Sequence, residues 1–381
     1  MSEAAQKPIP MVDLTAQYPM LRTAIESGLH TALDEAKFIL GPNVQAFEKQ
    51  VSEYLGVEHA IGVASGTDAL HLALLAAGVR AGDEVITTPF SFISTAEAIC
   101  YIGAIPVFAD IDPKTFNIDP QSVAEKITPK TRAILPVHLF GQPANMPALE
   151  TLATRHKLVL VEDCAQSFGA RIDKKMTGSM GVTGAFSFFP SKNLGGYGDG
   201  GMVTTQDKAM AEEIIALRNH GSRERYYHYR IGFNSRLDEL QAVILQAKLA
   251  HIDAFNAGRQ RVARLYSEGL ADVSTLSTPY ADGLGVHVYH QYTLLCENEA
   301  HRSALMSHLA EHNIASAVYY PVPLHQQEAF SSSARPSDQA ITSTKLPVAE
   351  SIAKRCMSLP MYPELTPQAV NRVITAIKDH A

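Results

Sequence analysis

Leu158-Val159-Leu160-Val161-Glu162-Asp163 is a short apolar run that ends in two acids. The run lacks the apolar–polar alternation of a half-exposed strand, so it reads as a strand covered on both faces. Similar runs, rich in Val, Ile and Phe, lie at Ala60–Val63, Glu84–Thr88, Ile105–Ala109, Ala133–Val137, Ala185–Phe189 and Met202–Thr205. Between them the apolar spacing turns helical, for example at Asp68–Ala77, Thr95–Tyr101 and Met146–His156. This succession of strand and helix predicts an α/β fold with a largely parallel sheet and helices outside it.

Working outward, residues 235–270 read as two successive helices, with Leu237, Leu240, Val243, Ile244 and Ala247 at helical spacing. Beyond about residue 275 the order changes. A strand is expected at Val286–Cys296, a helix at His301–His312 and a strand at Ile314–Tyr320. Ser331–Thr344 is serine-rich and reads as an exposed loop, followed by helices at Pro347–Arg355 and Pro367–Lys378. The expected organisation is a large domain over 1–255, including the N-terminal segment, and a smaller α+β domain over 256–381.

Composition bounds the function. The 381 residues are 46% hydrophobic and 19% charged, enough to bury a large core and too apolar for a disordered chain. The 32 Lys+Arg against 39 Asp+Glu leave a net charge of −7, without the basic excess of a nucleic-acid binder. Cys100, Cys164, Cys296 and Cys356 form no close pair, so neither a disulfide framework nor a structural zinc site is expected. No secretory leader or bilayer-spanning run is apparent, and the expected setting is soluble, reducing and cytoplasmic, with no membrane partner.

Several motifs carry chemistry. Ser65-Gly66-Thr67-Asp68 follows a strand and opens a helix, where free backbone N–H groups and the helix dipole suit a phosphate; it also reads as an ordinary N-cap. Glu162-Asp163 ends a strand at the sheet edge where α/β folds bind ligands. An acid there either caps a helix or pairs with a protonated ring nitrogen. Phe186-Ser187-Phe188-Phe189-Pro190-Ser191-Lys192 ends a buried-looking strand with a lysine, 29 residues after Asp163. A lone lysine is usually a solvated surface group, but a desolvated one becomes an amine nucleophile. Two patterns are set aside. Gly196, Gly198 and Gly201 fit a dinucleotide fingerprint by letter, but a strand, Met202–Thr205, follows instead of a helix. His308, Glu311 and His312 fit a metallopeptidase pattern with no third ligand in the neighbouring sequence. No metal is expected.

Together these blocks resemble the DegT-type, pyridoxal-phosphate-dependent nucleotide-sugar aminotransferases. The resemblance runs from Phe38-Ile39-Leu40-Gly41-Pro42 to Ser358-Leu359-Pro360-Met361-Tyr362-Pro363. It is carried by Ser65–Leu70, Glu162–Gln166, Phe186–Leu194 with Gly198–Met202, and Asn234–Ala242. It implies a fold-type I aminotransferase with a mostly parallel mixed sheet and a smaller C-terminal α+β domain. It implies that Lys192 bonds covalently to pyridoxal 5'-phosphate and that Asp163 holds the pyridine nitrogen protonated. Gln166 would lie near the phenolic oxygen, Phe92 would stack on the ring, and Gly66, Thr67 and Ser187 would hold the phosphate. Asn234 matches an asparagine that family members supply from a neighbouring subunit, which implies a homodimer with a shared site. Lys192 also separates the chain from relatives that carry histidine there and dehydrate sugars. Cys164, where relatives often have a small residue, reads as packing.

The implied reaction takes an amino group from L-glutamate and gives it to a nucleotide-linked keto sugar. The Asn234–Gln241 block is more similar to members that aminate C3 than to those that aminate C4. Arg225–Gly232 and Tyr319–His325 are similar to enzymes acting on UDP-2-acetamido-2-deoxy-3-keto-hexuronic acid. Arg236 is then the candidate for the carboxylate, unless it serves an interface ion pair, with Tyr320 and His325 lining the sugar site. The alternative substrate is a dTDP-linked 3-keto-6-deoxyhexose. A different class, a non-catalytic cofactor- or nucleotide-sugar-binding regulator, is opposed by the complete blocks around Asp163 and Lys192.

Overall fold

In the computed structural model, residues 7–330 and 345–380 are described. Two helices open the chain, α1 (Tyr18–Glu35) and α2 (Pro42–Leu55), with a proline in the first turn of each. The large sheet is built from β1 (His59–Val63), β2 (Glu84–Thr87), β3 (Ile105–Phe108), β4 (Thr131–Leu135) and β5 (Val159–Asp163), then, after a small hairpin of β6 (Arg171–Ile172) and β7 (Lys175–Met176), from β8 (Thr183–Ser187) and β9 (Gly201–Thr205). Its order is β1-β9-β8-β5-β4-β2-β3. All pairs from β8 to β3 are parallel, and β9 runs antiparallel to both its neighbours. The helices α3 (Gly66–Ala76), α4 (Ser94–Tyr101), α5 (Pro120–Lys126), α6 (Met146–His156) and α7 (Lys208–Leu217) connect or flank the strands.

The apolar runs lack polar alternation because both faces of the sheet are packed. Val85, Ala133, Leu135, Val161, Ala185 and Val203 enter one core with Leu70, Leu72 and Ile214 of the helices. Their chain neighbours Ile86, Ile134 and Leu160 enter a second core with Met146 and Leu149. Phe186 and Met202 enter a third, with Phe47 and Val51 of α2. Successive strand side chains point to opposite faces, so each strand feeds two cores.

After a second hairpin, β10 (Ser222–Glu224) and β11 (Tyr227–His228), come α8 (Glu239–Leu249) and α9 (Ile252–Gly269). A three-stranded antiparallel sheet then forms from β12 (Leu276–Ser277), β13 (Tyr292–Cys296) and, after α10 (Glu299–Glu311) and α11 (Pro347–Arg355), β14 (Cys356–Leu359). The chain closes with α12 (Pro367–His380). One core joins Val262 and Tyr266 of α9, Tyr292 and Leu294, Leu305 and Leu309, and Val373 and Ile377, and it also takes in Ile9 from the start of the chain.

The structure corrects the sequence reading in the C-terminal part. Of the expected 286–296 strand, Tyr292–Cys296 forms β13, while Val286 makes a single bridge to Arg171 of β6. Val286 N–H donates to Arg171 O, Val288 N–H to Gly141 O and His290 N–H to Phe140 O, so the partner changes before a ladder forms. Ile314–Tyr320 is no strand: Ile314 bridges Ile9 while Ala317 bridges Ser358, so its partner changes before a ladder forms. The sequence reading assigned nothing to α1 or α2, and α1 buries only Leu21, Ile25 and Ala32. The expected loop at Ser331–Thr344 lies outside the described residues. His308 and His312 have ring centroids 4.3 Å apart, and the Nδ1–H of His312 donates to the His308 carbonyl at 2.8 Å, capping the end of α10. Among the described residues no helix is long and apolar enough to cross a membrane.

The start of α2 depends on a residue nearly two hundred positions away. Glu239, 1% exposed, accepts from Gly41 N–H at 3.1 Å, from Val44 N–H at 3.2 Å and from Asn43 N–H, satisfying donors that the helix itself leaves open. Glu239→Ala should destabilise the protein by about 3 kcal/mol, while Glu239→Gln, which keeps an acceptor, should lose less. A melting comparison of the two variants checks this.

Candidate active site

The parallel strands deliver their carboxyl ends to one edge of the sheet, the position where open α/β folds bind ligands. A cavity of about 400 Å³ opens there, lined by residues that include Gly66, Thr67, Phe92, Asp163, Gln166, Ser187, Lys192 and Tyr320. These eight come from separate points of the chain, and each was singled out in the sequence. The structure brings them together.

Asp163 ends β5 and is 3% exposed. Thr95 donates its hydroxyl to Asp163 Oδ2 at 2.8 Å, and Ala165 N–H donates to Oδ1 at 3.1 Å. Ser91 and Thr95 hydroxyls lie 3.0 Å apart and extend this chain. Burial pushes the Asp163 carboxyl above the usual carboxylate range, against these hydrogen bonds and the positive charge of Lys192.

Strand alternation turns the preceding acid, Glu162, away from Asp163. Glu162 accepts from Gly178 N–H at 2.9 Å, Met180 N–H at 2.8 Å and Gly181 N–H at 2.7 Å, and lies 2.9 Å from His138 Nε2. Ala144 N–H donates to His138 Nδ1 at 2.9 Å, which assigns the ring proton to Nε2. His138, Glu162 and Cys164 are the group among the described residues close enough to hold a metal ion. The ring nitrogens of His138 and the carboxylate of Glu162 are already committed to hydrogen bonds, and Cys164 is buried beside Phe168 and Phe186, where burial pushes its thiol well up. This cluster is a structural knot, not a donor set awaiting an ion.

Lys192 follows β8. Its N–H donates to Phe189 O at 2.8 Å, and the next residue, Asn193, donates its side-chain amide to Val288 O at 3.0 Å and Asn256 Oδ1 at 2.8 Å. Burial pulls the Lys192 amine from 10.5 down to about 8, with Asp163 acting in the opposite direction. The amine therefore loses its proton more readily than an ordinary lysine and is neutral in a large fraction of molecules only at mildly basic pH.

The third element is the N-terminus of α3. Ser65 caps it, accepting from Asp68 N–H at 3.1 Å. The first N–H groups of any helix have no partner within it. Thr67 Oγ1 lies 2.8 Å from Ser94 Oγ, and Ser187 sits beside the turn. A Cβ on Gly66 would lie 2.6 Å from Ser187 Cβ, and one on Gly201 would lie 2.3 Å from Ser65 O. Both glycines are therefore imposed by close approach, and they leave an open cup of N–H and hydroxyl groups.

These features fit pyridoxal 5'-phosphate. The cup suits its phosphate, the buried carboxylate of Asp163 suits a protonated ring nitrogen, and the desolvated amine of Lys192 suits its aldehyde. Gln166 Oε1 accepts from Phe140 N–H at 2.6 Å and Nε2 donates to Tyr320 OH at 3.0 Å, which fixes both side chains at the wall. The ring of Phe92 is 57% exposed and lies 6.5 Å from that of Tyr320.

Three residues singled out in the sequence do not line this cavity. Asn234 is exposed and bridges Asn219 through its backbone, and Arg236 Nη1 donates to Asn219 Oδ1 at 3.2 Å. His325 is 2% exposed, with Nε2 3.1 Å from Glu350 and its ring beside Phe108. Conversely, Thr95, His290 and Gln291 line the cavity and were read only as parts of a helix and a strand. No local pattern marks Thr95 as the partner of an acid 68 positions on.

A chain with this fold and this cavity is a fold-type I, pyridoxal-phosphate-dependent aminotransferase. The model of the DegT/DnrJ/EryC1/StrS aminotransferase family matches residues 19–378, and the chain belongs to that family. It is 48% identical over 370 residues to a protein of Acidithiobacillus ferrooxidans named UDP-N-acetyl-3-dehydro-alpha-D-glucosamine 3-aminotransferase, covering 97% of each chain. It is 40% identical to UDP-2-acetamido-2-deoxy-3-oxo-D-glucuronate aminotransferase of Pseudomonas aeruginosa, covering 97% of this chain and 99% of that one. Among solved structures it is similar to Streptomyces venezuelae DesV in complex with a ketimine intermediate, with a TM-score of 0.93, 41% identity and 98% of each chain covered.

The amine of Lys192 makes stability depend on pH. An unfolded lysine titrates near 10.5 and the folded one near 8, so the folded chain holds fewer protons between these values. Its contribution to stability therefore rises as pH climbs from about 8 to 10.5, and the burden of a buried charge is complete below about 8. Lys192→Met in cofactor-free protein should raise the Tm at pH 7, with the gain shrinking towards pH 10.5. A gain that is flat with pH would contradict the assignment.

Proposed function

We propose that the protein transfers the amino group of L-glutamate to C3 of a UDP-linked 2-acetamido-2-deoxy-3-keto sugar, in the cytoplasm. The observation that carries this reading is the convergence of Asp163, Lys192 and the N-terminus of α3 on one desolvated cavity. The two relatives described above share a UDP group, a 2-acetamido group and a 3-oxo group in their named substrates. They differ at C6, where one is a uronate. The division of the chain into 1–255 and 256–381 belongs to the same reading.

When bound, pyridoxal 5'-phosphate supplies an aldehyde that links to amines and a ring that draws off an electron pair. Every other task falls to the chain. Gly66, Thr67 and Ser187 would hold the phosphate, Asp163 would keep the ring nitrogen protonated, Gln166 and Phe92 would border the ring, and Lys192 would hold the aldehyde. The Lys192 amine would take the proton from the α-carbon of glutamate, and one water would be consumed as glutamate becomes 2-oxoglutarate. In the second half-reaction Lys192 would deliver a proton to C3 of the sugar, whose keto oxygen leaves as the water that balances the one consumed in the first. The order of events is ping-pong.

Lys192 is the one lysine or arginine among the described residues lining the cavity, which is too little positive charge for a sugar diphosphate. A second copy of the chain would supply the rest. The hairpin of β10 and β11 presents Tyr226 and Tyr227, 79% and 70% exposed, and Ile231 just beyond it is 89% exposed. The same stretch carries Arg223, Arg225 and Arg230 and leads into Asn234 and Arg236. Such an apolar, basic arm suits a homodimer in which Asn234 and Arg236 enter the partner's cavity. Arg236 would then read the carboxylate of a uronate.

Lys192→Ala should abolish both turnover and the borohydride-reducible bond to pyridoxal phosphate, and retained turnover would exclude the assigned role. A panel of UDP- and dTDP-linked 3- and 4-keto sugars with glutamate, followed by release of 2-oxoglutarate, identifies the substrate. Mixing Lys192→Ala with Asn234→Ala subunits should restore activity that neither has alone, and failure to restore it argues against a shared site. Arg236→Ala should raise KM about tenfold or more for a uronate and little for its C6-hydroxymethyl counterpart.

A further inference from the structure

Thr95 is bonded to the carboxylate of Asp163 and has no part in the scheme above. It stands in the first turn of α4, which begins at Ser94. Thr95 N–H donates to Phe92 O at 3.2 Å and Ala96 N–H to Ile93 O at 3.0 Å, so the entry to the helix fixes its backbone. A threonine in a helix commonly gives its hydroxyl to the carbonyl four residues back. Here the residue four back is Ser91. Thr95 meets the side-chain hydroxyl of Ser91 at 3.0 Å and donates its own proton to Asp163 Oδ2 at 2.8 Å. The preceding residue, Ser94, lies 2.8 Å from Thr67 in the anion cup. One turn of chain therefore touches both the cup and the buried acid.

The direction of these bonds follows from counting protons. A hydroxyl has one proton to give. Thr95 gives its proton to Asp163, so it can only accept from Ser91, and the Ser91 proton points at Thr95. Ala165 N–H, which can only donate, takes Oδ1. The chain from Ser91 through Thr95 is thus polarised towards the carboxylate. Thr95 and Ser91 are buried, so water does not compete, and a donor to a charged acceptor counts for most in such a place. Burial opposes charge on Asp163, while Lys192 and His138 favour it without bonding to it. Tyr320 and Cys164 stand nearby, both kept neutral chiefly by burial. When the Lys192 amine is neutral, the two donors on the carboxylate remain. One is a backbone amide; the other is the Thr95 hydroxyl.

We propose that Thr95 is a positioning residue for Asp163: its hydroxyl, oriented by that of Ser91, holds the carboxylate in its charged form and thereby keeps a proton on the ring nitrogen of the bound cofactor. It acts through Asp163, and no covalent bond is made or broken along the chain of hydroxyls. Without Thr95 the buried carboxyl takes up a proton more readily, and a ring whose nitrogen is uncharged draws electrons less strongly. The proposal rests on Asp163 facing the ring nitrogen.

The first test uses the full chain free of cofactor, isotope-labelled at the aspartate carboxyl carbons. The NMR signal lost in Asp163→Asn belongs to Asp163, and its pH dependence gives the titration midpoint of that carboxyl. Thr95→Val, which keeps the shape and removes the hydroxyl, should raise the midpoint by about one unit, while Thr95→Ser should leave it near the unsubstituted value. Ser91→Ala should raise it by less, because Thr95 still donates. The second test loads each protein with pyridoxal 5'-phosphate labelled at the ring nitrogen. That nitrogen signal should move towards a neutral pyridine in Thr95→Val and stay in place in Thr95→Ser. An unmoved midpoint in Thr95→Val, equal shifts in the valine and serine variants, or a raised midpoint with an unmoved nitrogen signal overturns the proposal. Should Thr95→Val fail to fold, Ser91→Ala decides: an upward shift there with none in Thr95→Ser supports the proposal, and no shift overturns it. A nitrogen signal that also ignores Asp163→Asn shows instead that this acid does not face the ring, and the underlying assignment falls with the proposal.

Discussion

The site is governed by the cost of placing charge in a dry cavity. Asp163 is pushed towards its protonated form and Lys192 towards its neutral form, both chiefly by burial. Each is nonetheless held back by the other's charge, so neither shift runs to completion. A ligand that brings a positive ring nitrogen to Asp163 and an electrophilic carbon to Lys192 relieves both groups at once. The same dryness strengthens every electrostatic interaction within the cavity.

That arrangement needs rigid support, because a desolvated pair gains nothing if its members drift. Asp163 is fixed by its strand and by Thr95 from α4. The adjacent Glu162 faces the other way and fastens the 178–181 turn to the sheet, together with His138. One strand thus places a structural acid and a chemical acid side by side, separated by pleat direction. Lys192 is anchored through Asn193 to Val288 and Asn256, which ties its loop to the segment from the C-terminal part of the chain. The anion cup depends on two glycines whose absent side chains let Ser65, Ser187 and the start of α3 meet.

Among the described residues Lys192 is the one lysine or arginine lining the cavity, which is why the proposed reading adds a second subunit. The exposed aromatic and basic arm around residues 223–231 is poorly explained as solvent-facing surface in a lone chain. In the proposed dimer its burial would carry Asn234 and Arg236, which among the described residues bind Asn219, to a neighbouring site.

The alternation of doubly buried strands with helices determined the α/β class, because period and apolarity are local properties of the chain. The motifs at 65–68, 162–166 and 186–192 likewise marked residues that line the cavity, since a helix start, a strand end and a glycine-rich turn are each written in adjacent letters. Tertiary structure decided what Glu162, the neighbour of Asp163, does, because its partners, His138 and the N–H groups of 178–181, come from distant turns. It also decided that Thr95 meets Asp163, that His290 lines the same cavity as Lys192, and that residues 286–291 bind Arg171, Gly141 and Phe140 in turn instead of continuing a strand ladder. These are contacts between segments far apart in the chain, formed by packing, and no local pattern encodes the distance between them.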